Sequence, residues 1–267
     1  TLANDRPAAD RLTEFYLWMS LGGVLGGLFP ALIAPQIFDW VYEHPILLLA
    51  AALLVPAKPL TRRIGNLWRG NGLGRALRIL TPPVVLVLGW WLGAAFMAVN
   101  TPPVQVAAIA FMALLAVLAI GRPLMFSFVL LNLMLALGGW QQIDISTIDR
   151  ARQRSFFGIY TIQNSHSTQT RRLLHGTTMH GAQSLDPALS RMPLTYYAPM
   201  SGIGLAMQTA PSLFGDGARI GVIGLGSGSL ACFAKPGEDW TIFEIDPLMV
   251  EIATDPEVFS YVSQCKP

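Results

Sequence analysis

Charge is scarce in this chain. Of its 267 residues only 13% are Asp, Glu, Lys or Arg and 52% are hydrophobic, against roughly 25% charged residues in an ordinary soluble domain. So little charge excludes a chain solvated by water along its whole length. The apolar residues gather before residue 141, which divides the molecule into a lipid-facing part and an aqueous part. Cysteine is scarcer still. Cys232 and Cys265 are the only two, too few for a disulfide framework and compatible with a reducing compartment. No secretory leader is visible in Thr1 to Arg11, which is polar with mixed charge and has neither the basic start nor the cleavage pattern. The net charge of +2 comes largely from one arginine-rich loop, so it describes membrane topology and not a nucleic-acid-binding surface, and no nucleic-acid partner is expected. A start at Thr1 and an end at Pro267 inside an unfinished pattern read as a fragment.

What is present in quantity is apolar sequence of membrane-spanning length. The run Phe15 to Ala34 approaches the ~20 residues that carry a helix across a bilayer core. Within it Gly22, Gly23, Gly26 and Gly27 form overlapping small-xxx-small pairs, which admit a second helix at close range where lipid gives no hydrophobic drive. Pro35 to Pro56 holds Asp39, Glu43 and His44 ahead of the shorter run Ile46 to Val55, an arrangement that puts these ionisable groups at the interface. Val84 to Val99, Val104 to Ile120 and Leu124 to Trp140 follow, separated by Pro or Arg breaks. Residues 1–141 are therefore expected to form a transmembrane domain of four or five helices, with the lipid bilayer as partner and Trp90, Trp91 and Trp140 as contributors to aromatic belts.

Two charge signals disagree about sidedness. Lys58, Arg62, Arg63, Arg69, Arg75 and Arg78 stand together without an acid, which places their loop in the cytoplasm, and three full crossings from there put the C-terminal part outside. Arg150, Arg152 and Arg154 directly follow the last apolar run and argue for the cytoplasm. They make an inner or plasma membrane protein with a cytoplasmic C-terminal domain the expectation.

From Gln141 the texture becomes mixed and polar. Residues 142–210 read as a linker and a small antiparallel hairpin module, with strand-like runs at Phe156 to Gln163, Arg172 to His175 and Thr178 to Gln183. Thr195 to Ala210 has apolar residues at helical spacing, and Pro211 to Gly217 reads as a loop. Residues 211–267 then open an α/β unit: the buried strand Arg219 to Ile223, the glycines Gly224, Gly226 and Gly228, a helix from Ser229 to Ala234, and a second strand from Trp240 to Ile245. Glycines in that place allow a tight turn and close backbone approach to a ligand. Glu244 stands twenty residues after Gly224, the spacing at which an acid meets ribose hydroxyls. The pattern is G-x-G-x-G and not G-x-G-x-x-G, which favours an adenosyl amino-acid ligand over a pyrophosphate. The fold class expected is a multi-pass α-helical membrane domain, a β-hairpin module and an incomplete Rossmann-like α/β domain of the S-adenosylmethionine-dependent methyltransferase type.

The stretches RLLHGTTMHGAQ, PLTYYAPMSG, IGVIGLGSGSLACFA and FEIDP, with FYLWMSLGGVLGGLFPALIAP in the apolar half, resemble the membrane-embedded spermidine synthase-like proteins of the polyamine aminopropyltransferase superfamily. The resemblance implies transfer of an aminopropyl group from decarboxylated S-adenosylmethionine, a co-substrate and not a permanently bound cofactor, to an amine such as putrescine. It implies that Gly224, Gly226, Ser227 and Gly228 shape the nucleotide turn, with Glu244 and Asp246 beside it, and that Gln183, His180, Tyr196 and Tyr197 face ligand from the hairpin side. It also implies a catalytic acid beyond Pro267 and a possible homo-oligomer.

The chain departs from the soluble members of that family at two places. Ser227 stands where they carry an acid in the turn, and His175 with Gly176 where they have Asp-Gly; both changes remove negative charge that would hold a polycation. His175 and His180 are spaced by five with no acid or cysteine nearby, which matches no metal-ligand pattern, and no metal is expected. A methyltransferase-like enzyme using S-adenosylmethionine itself, and a transporter or sensor with a non-catalytic nucleotide-binding domain, are the alternatives.

Overall fold

Spanning helices and short strands divide the chain much as the apolar runs suggest. The structure is a computed structural model and describes residues 6–70, 72–95, 102–215 and 217–265. Residues 1–5 of the polar start, the 96–99 end of the third apolar run and Pro267 lie outside the described residues. Two units result, Thr1–Arg150 and Ala151–Pro267. The expected boundary at 141 moves accordingly: residues 142–147 continue the last membrane helix, and the hairpin module and the parallel strands share one unit.

Unit 1 contains α1 (Ala9–Ile37), α2 (Glu43–Leu53), α3 (Arg62–Leu67), α4 (Leu73–Ala95), α5 (Pro103–Ala119) and α6 (Pro123–Thr147). Three of these, α1, α4 and α6, are long and apolar enough to cross a membrane, and α2 and α5 are shorter apolar companions. The protein is accordingly a membrane-helix protein in this half. Val85 and Leu92 of α4, Met112 and Leu115 of α5, and Val129 and Ala136 of α6 form its core. Small residues let α4 and α6 approach: a Cβ at Gly89 would stand 3.2 Å from Asn132, and one at Gly93 would run into the Trp140 ring. The glycines that pack are therefore these and not the four in α1. Nothing lies within 4 Å of a Cβ built on Gly22, Gly23, Gly26 or Gly27, and α1 buries no residue between Leu12 and Ile33. Small spacing marks a helix that can be approached, and only a neighbour's path decides whether it is.

At the other edge of this core the Tyr42 hydroxyl is hydrogen-bonded with the Gln142 carbonyl (3.0 Å) and with Ser146 Oγ (2.9 Å). Tyr42→Phe should lower the thermal stability of unit 1 by about 1 kcal/mol, the net worth of a part-buried hydrogen bond. Thermal unfolding in detergent micelles reads this, and an unchanged transition would show that the bond is idle.

Unit 2 begins with a four-stranded antiparallel sheet in the order β1 (Arg152–Arg154), β2 (Ile159–Ser165), β3 (Thr170–His175) and β4 (Thr178–Ser184). Next come α7 (Gly202–Phe214), the parallel pair β5 (Arg219–Ile223) and β6 (Asp239–Phe243), α8 (Pro247–Thr254) and α9 (Tyr261–Gln264). The helix expected from Thr195 starts only at Gly202, where Ser201 caps it by accepting from Gly204 N–H at 3.1 Å. Thr195–Tyr197 is a separate 3-10 turn. Tyr160 and Leu173 of the sheet pack with Met249, Ile252 and Phe259 to make the core. By contrast β5 and β6 alternate between exposed and half-buried residues, and Ile223 is 93% exposed. Parallel strands are normally covered on both faces. This pair has a bare face.

Candidate functional site

Strand β5 ends at Ile223 and the chain turns at once through glycines in left-handed conformations, with φ of 89° at Gly224, 55° at Gly226 and 80° at Gly228. Side chains avoid that region, so these positions require glycine. Space adds to the requirement. A Cβ on Gly226 would stand 3.0 Å from the His180 carbonyl oxygen, and one on Gly228 would run into Val262 of α9. The turn is thus held between β4 and α9, whereas a Cβ on Gly224 would meet nothing within 4 Å. Only the first glycine faces open space. The α-helix expected over Ser229 to Ala234 is a 3-10 segment, Ser229–Phe233, ended by Lys235, Pro236 and Gly237. Proline cannot continue a helix, so no long helix points its positive end at the turn.

An open cleft of about 610 Å³ lies at the carboxyl ends of the two strands, lined by Ile223, Gly224, Phe243, Glu244 and Ile245. Glu244 faces this cleft, and its carboxylate is already hydrogen-bonded: Oε2 accepts from Leu225 N–H (2.9 Å), and Oε1 from Ile245 N–H (2.8 Å) and Asp246 N–H (3.0 Å). The acid therefore braces the glycine turn from within. A carboxylate offers about four lone-pair directions, which leaves one for a ligand hydroxyl.

Asp246 is 1% exposed and does not face the cleft. Its Oδ2 accepts from Ser155 Oγ (2.5 Å) and Tyr160 Oη (2.6 Å), and its Oδ1 caps α8 through Leu248 N–H (3.0 Å). Burial alone would push its carboxyl up, but the Ser155, Tyr160 and Leu248 hydrogen bonds and the nearby His175 together hold it below the ordinary carboxylate value. Burial and the same carboxylate push the Tyr160 phenol up. Asp246 joins the antiparallel sheet to the parallel strands, a role that spacing alone does not reveal.

The hairpin-side residues divide into two groups. Gln183 is 6% exposed and fully engaged, its Nε2 donating to the Ser190 carbonyl and Ser260 Oγ (both 2.8 Å) and its Oε1 accepting from Ser260 N–H (3.1 Å). It ties β4 to α9. Ser227 is 1% exposed with its hydroxyl unpartnered beside Gly181, so its side chain faces protein. The Tyr196 and Tyr197 rings lie 4.5 Å apart and tilted by 53°, and the Tyr196 hydroxyl donates to the Met179 carbonyl (3.1 Å). Burial, then Tyr197, raises the Tyr196 phenol. The rings of His175 and His180 are 5.3 Å apart, and burial, followed by His175, lowers the His180 imidazole. His180 is one ring away from Tyr160, whose ring lies 4.9 Å from that of His175 and is tilted to it by 42°. Among the described residues no group of three His, Cys, Asp or Glu could hold a metal ion.

The two cysteines are paired with each other. Cys232 and Cys265 form a disulfide across a sequence separation of 33, joining the segment after the glycine turn to the end of α9. Two cysteines are too few for a framework, but one bond is enough to fasten one turn. No known family model matches the chain, and neither does any curated protein or solved structure.

Proposed function

We propose that unit 2 binds an adenosyl ligand in the cleft between Gly224 and Glu244, and that the membrane helices of unit 1 anchor this binding domain at a bilayer. One observation carries the reading: a left-handed glycine with open space above it ends one parallel strand, and an acid with one free acceptor direction ends its neighbour. Backbone approaches a nucleoside at the first position, and a ribose hydroxyl donates at the second. We read β5, the glycine turn and β6 as the opening of a Rossmann-like arrangement. In the aminopropyltransferase-like version of this function the ligand is decarboxylated S-adenosylmethionine. Its sulfonium leaves as methylthioadenosine while a putrescine nitrogen forms the new C–N bond and loses a proton to a base. The methyltransferase-like version takes S-adenosylmethionine itself.

A second reading is a sensor or transport-coupled binder without transfer chemistry, since neither acid at the strand ends is free to act as the base and the resemblance puts that base beyond Pro267. Glu244 and Asp246 each hold three donors. Their lone pairs are largely taken by these donors, and an alkylamine with a pKa of roughly 10 needs an acceptor close by.

Calorimetric titration of the full chain in detergent with S-adenosylmethionine and with its decarboxylated form tests binding and separates the two donors. Gly224→Ala should weaken affinity at least about tenfold, or ~1.4 kcal/mol, because the methyl enters the ligand's space and strains a φ of 89°. Unchanged affinity in a folded Gly224→Ala protein would remove the site from this cleft. Release of methylthioadenosine in the presence of putrescine then distinguishes transfer from binding alone.

A further inference from the structure

The arginines of unit 1 share one end of the helices. Trp68 Nε1 donates to the Leu118 carbonyl at 2.7 Å, and the Arg122 guanidinium stands 5.3 Å from the centre of the Trp68 ring. Arg78 donates to the carbonyls of Trp68 and Gly70, and a Cβ on Gly121 would meet the Pro59 backbone. The turn between α5 and α6 is thus packed on the loop that precedes α4. Burial, then Arg78 and Arg69, lowers the Arg122 guanidinium, as a gathering of like charge requires.

The opposite end is defined just as directly. Tyr42 meets Gln142 and Ser146 there, and the Trp140 ring lies against Gly93 near the end of α4. Helix α4 therefore leaves the arginine end, α5 returns to it, and α6 leaves again. The 17 residues of α5 span about 25 Å at 1.5 Å per residue, close to a bilayer core of about 30 Å. Residues 44–143 contain no Asp or Glu, while Asp39, Glu43, Asp144 and Asp149 flank this stretch at the far end. Arg150, Arg152 and Arg154 follow α6 closely and count toward the other orientation, but these three are outnumbered by Lys58, Arg62, Arg63, Arg69, Arg75, Arg78 and Arg122 at the arginine end.

We propose that the chain carries unit 2 to the side of the membrane away from the arginine end, the non-cytoplasmic and oxidising side, where the Cys232–Cys265 bond fastens the glycine turn to α9. Two independent observations meet in this assignment: odd crossing from a cationic loop, and a disulfide of the kind that persists where thiols are not kept reduced. Forming the bond removes two protons and two electrons from the two thiols, and these reduce the disulfide of a thiol oxidant of that compartment to two thiols. The inference does not rest on the ligand. Its consequence is that a nucleoside or amine reaches the cleft from outside, which favours a binder over a transferase supplied from the cytoplasm.

The test uses the full chain in its native membrane. In intact cells, Ser167→Cys in the exposed β2–β3 turn should react with a membrane-impermeant maleimide, and permeabilisation should leave its labelling unchanged. Asn66→Cys in α3 should react only after permeabilisation. In the unsubstituted chain, quenched in acid, Cys232 and Cys265 should take up alkylating reagent only after reduction. Labelling of Ser167→Cys that needs permeabilisation overturns the sidedness, and alkylation of the native cysteines without reduction overturns the bond. Adenosyl binding in detergent is unaffected by either result, so its failure is a separate outcome.

Discussion

Asp246→Ala is expected to lower the unfolding free energy of unit 2 by about 3 kcal/mol. Two contributions add. The Tyr160 hydroxyl, on a residue 4% exposed, loses the acceptor at 2.6 Å, and a buried donor left without a partner costs about 1–3 kcal/mol. Helix α8 loses the cap at Leu248 N–H, worth about 1 kcal/mol. Asp246→Asn keeps a cap acceptor and a similar volume, so it should cost less than the alanine variant. Pulse proteolysis of the full chain in detergent across a urea series measures unit 2 directly. Equal midpoints for the native and Asp246→Ala proteins would show that the carboxylate is not the hub described above.

The same residue sets a pH dependence. Because its folded pKa lies below the unfolded value near 3.9, the contribution of Asp246 is fully present above that value and is lost as pH falls through the lower folded one. The Tyr160 phenol is shifted upward, so its contribution is present below about pH 10 and is lost as pH rises beyond it. Stability of unit 2 should be flat between these limits with respect to this pair. Asp246→Ala should flatten the acid limb, and a limb of unchanged steepness would assign it to other carboxylates.

Cys232→Ser is expected to cost unit 2 about 3–4 kcal/mol, the chain-entropy value for a loop of this separation. Reduction of the native bond should produce the same loss. The glycine turn and α9 keep other contacts: the Tyr261 hydroxyl is shared between the Ala182 and Met192 carbonyls at 2.9 and 3.0 Å, and Ser260 pairs with Gln183. Adenosyl affinity should therefore fall less than stability. Urea midpoints with and without reductant, compared with Cys232→Ser, test this. A reductant effect that persists in the Ser variant would show that reduction acts elsewhere.

Much of the architecture is legible in the residues alone. Apolar runs of spanning length place membrane helices, because each backbone polar group in lipid must be satisfied within its own segment, and only length and hydrophobicity decide that. The turn at Gly224, Gly226 and Gly228 between two short strands is equally local, since left-handed backbone favours glycine, although Arg150, Gln169 and Thr195 adopt it elsewhere in the chain. Tertiary structure decided what those local signals leave open. It packed Gly89 and Gly93 and left Gly22, Gly23, Gly26 and Gly27 with no neighbour within 4 Å of a Cβ among the described residues. It also engaged Glu244 with the turn and buried Asp246, although the two acids stand only two residues apart at the same strand end. Pairing of Cys232 with Cys265, and the gathering of Arg122 with Arg69 and Arg78, belong to the same class. Periodicity and spacing report which conformations a segment accepts, whereas the partner of a side chain depends on where distant segments return, and that is set only when the whole chain has folded.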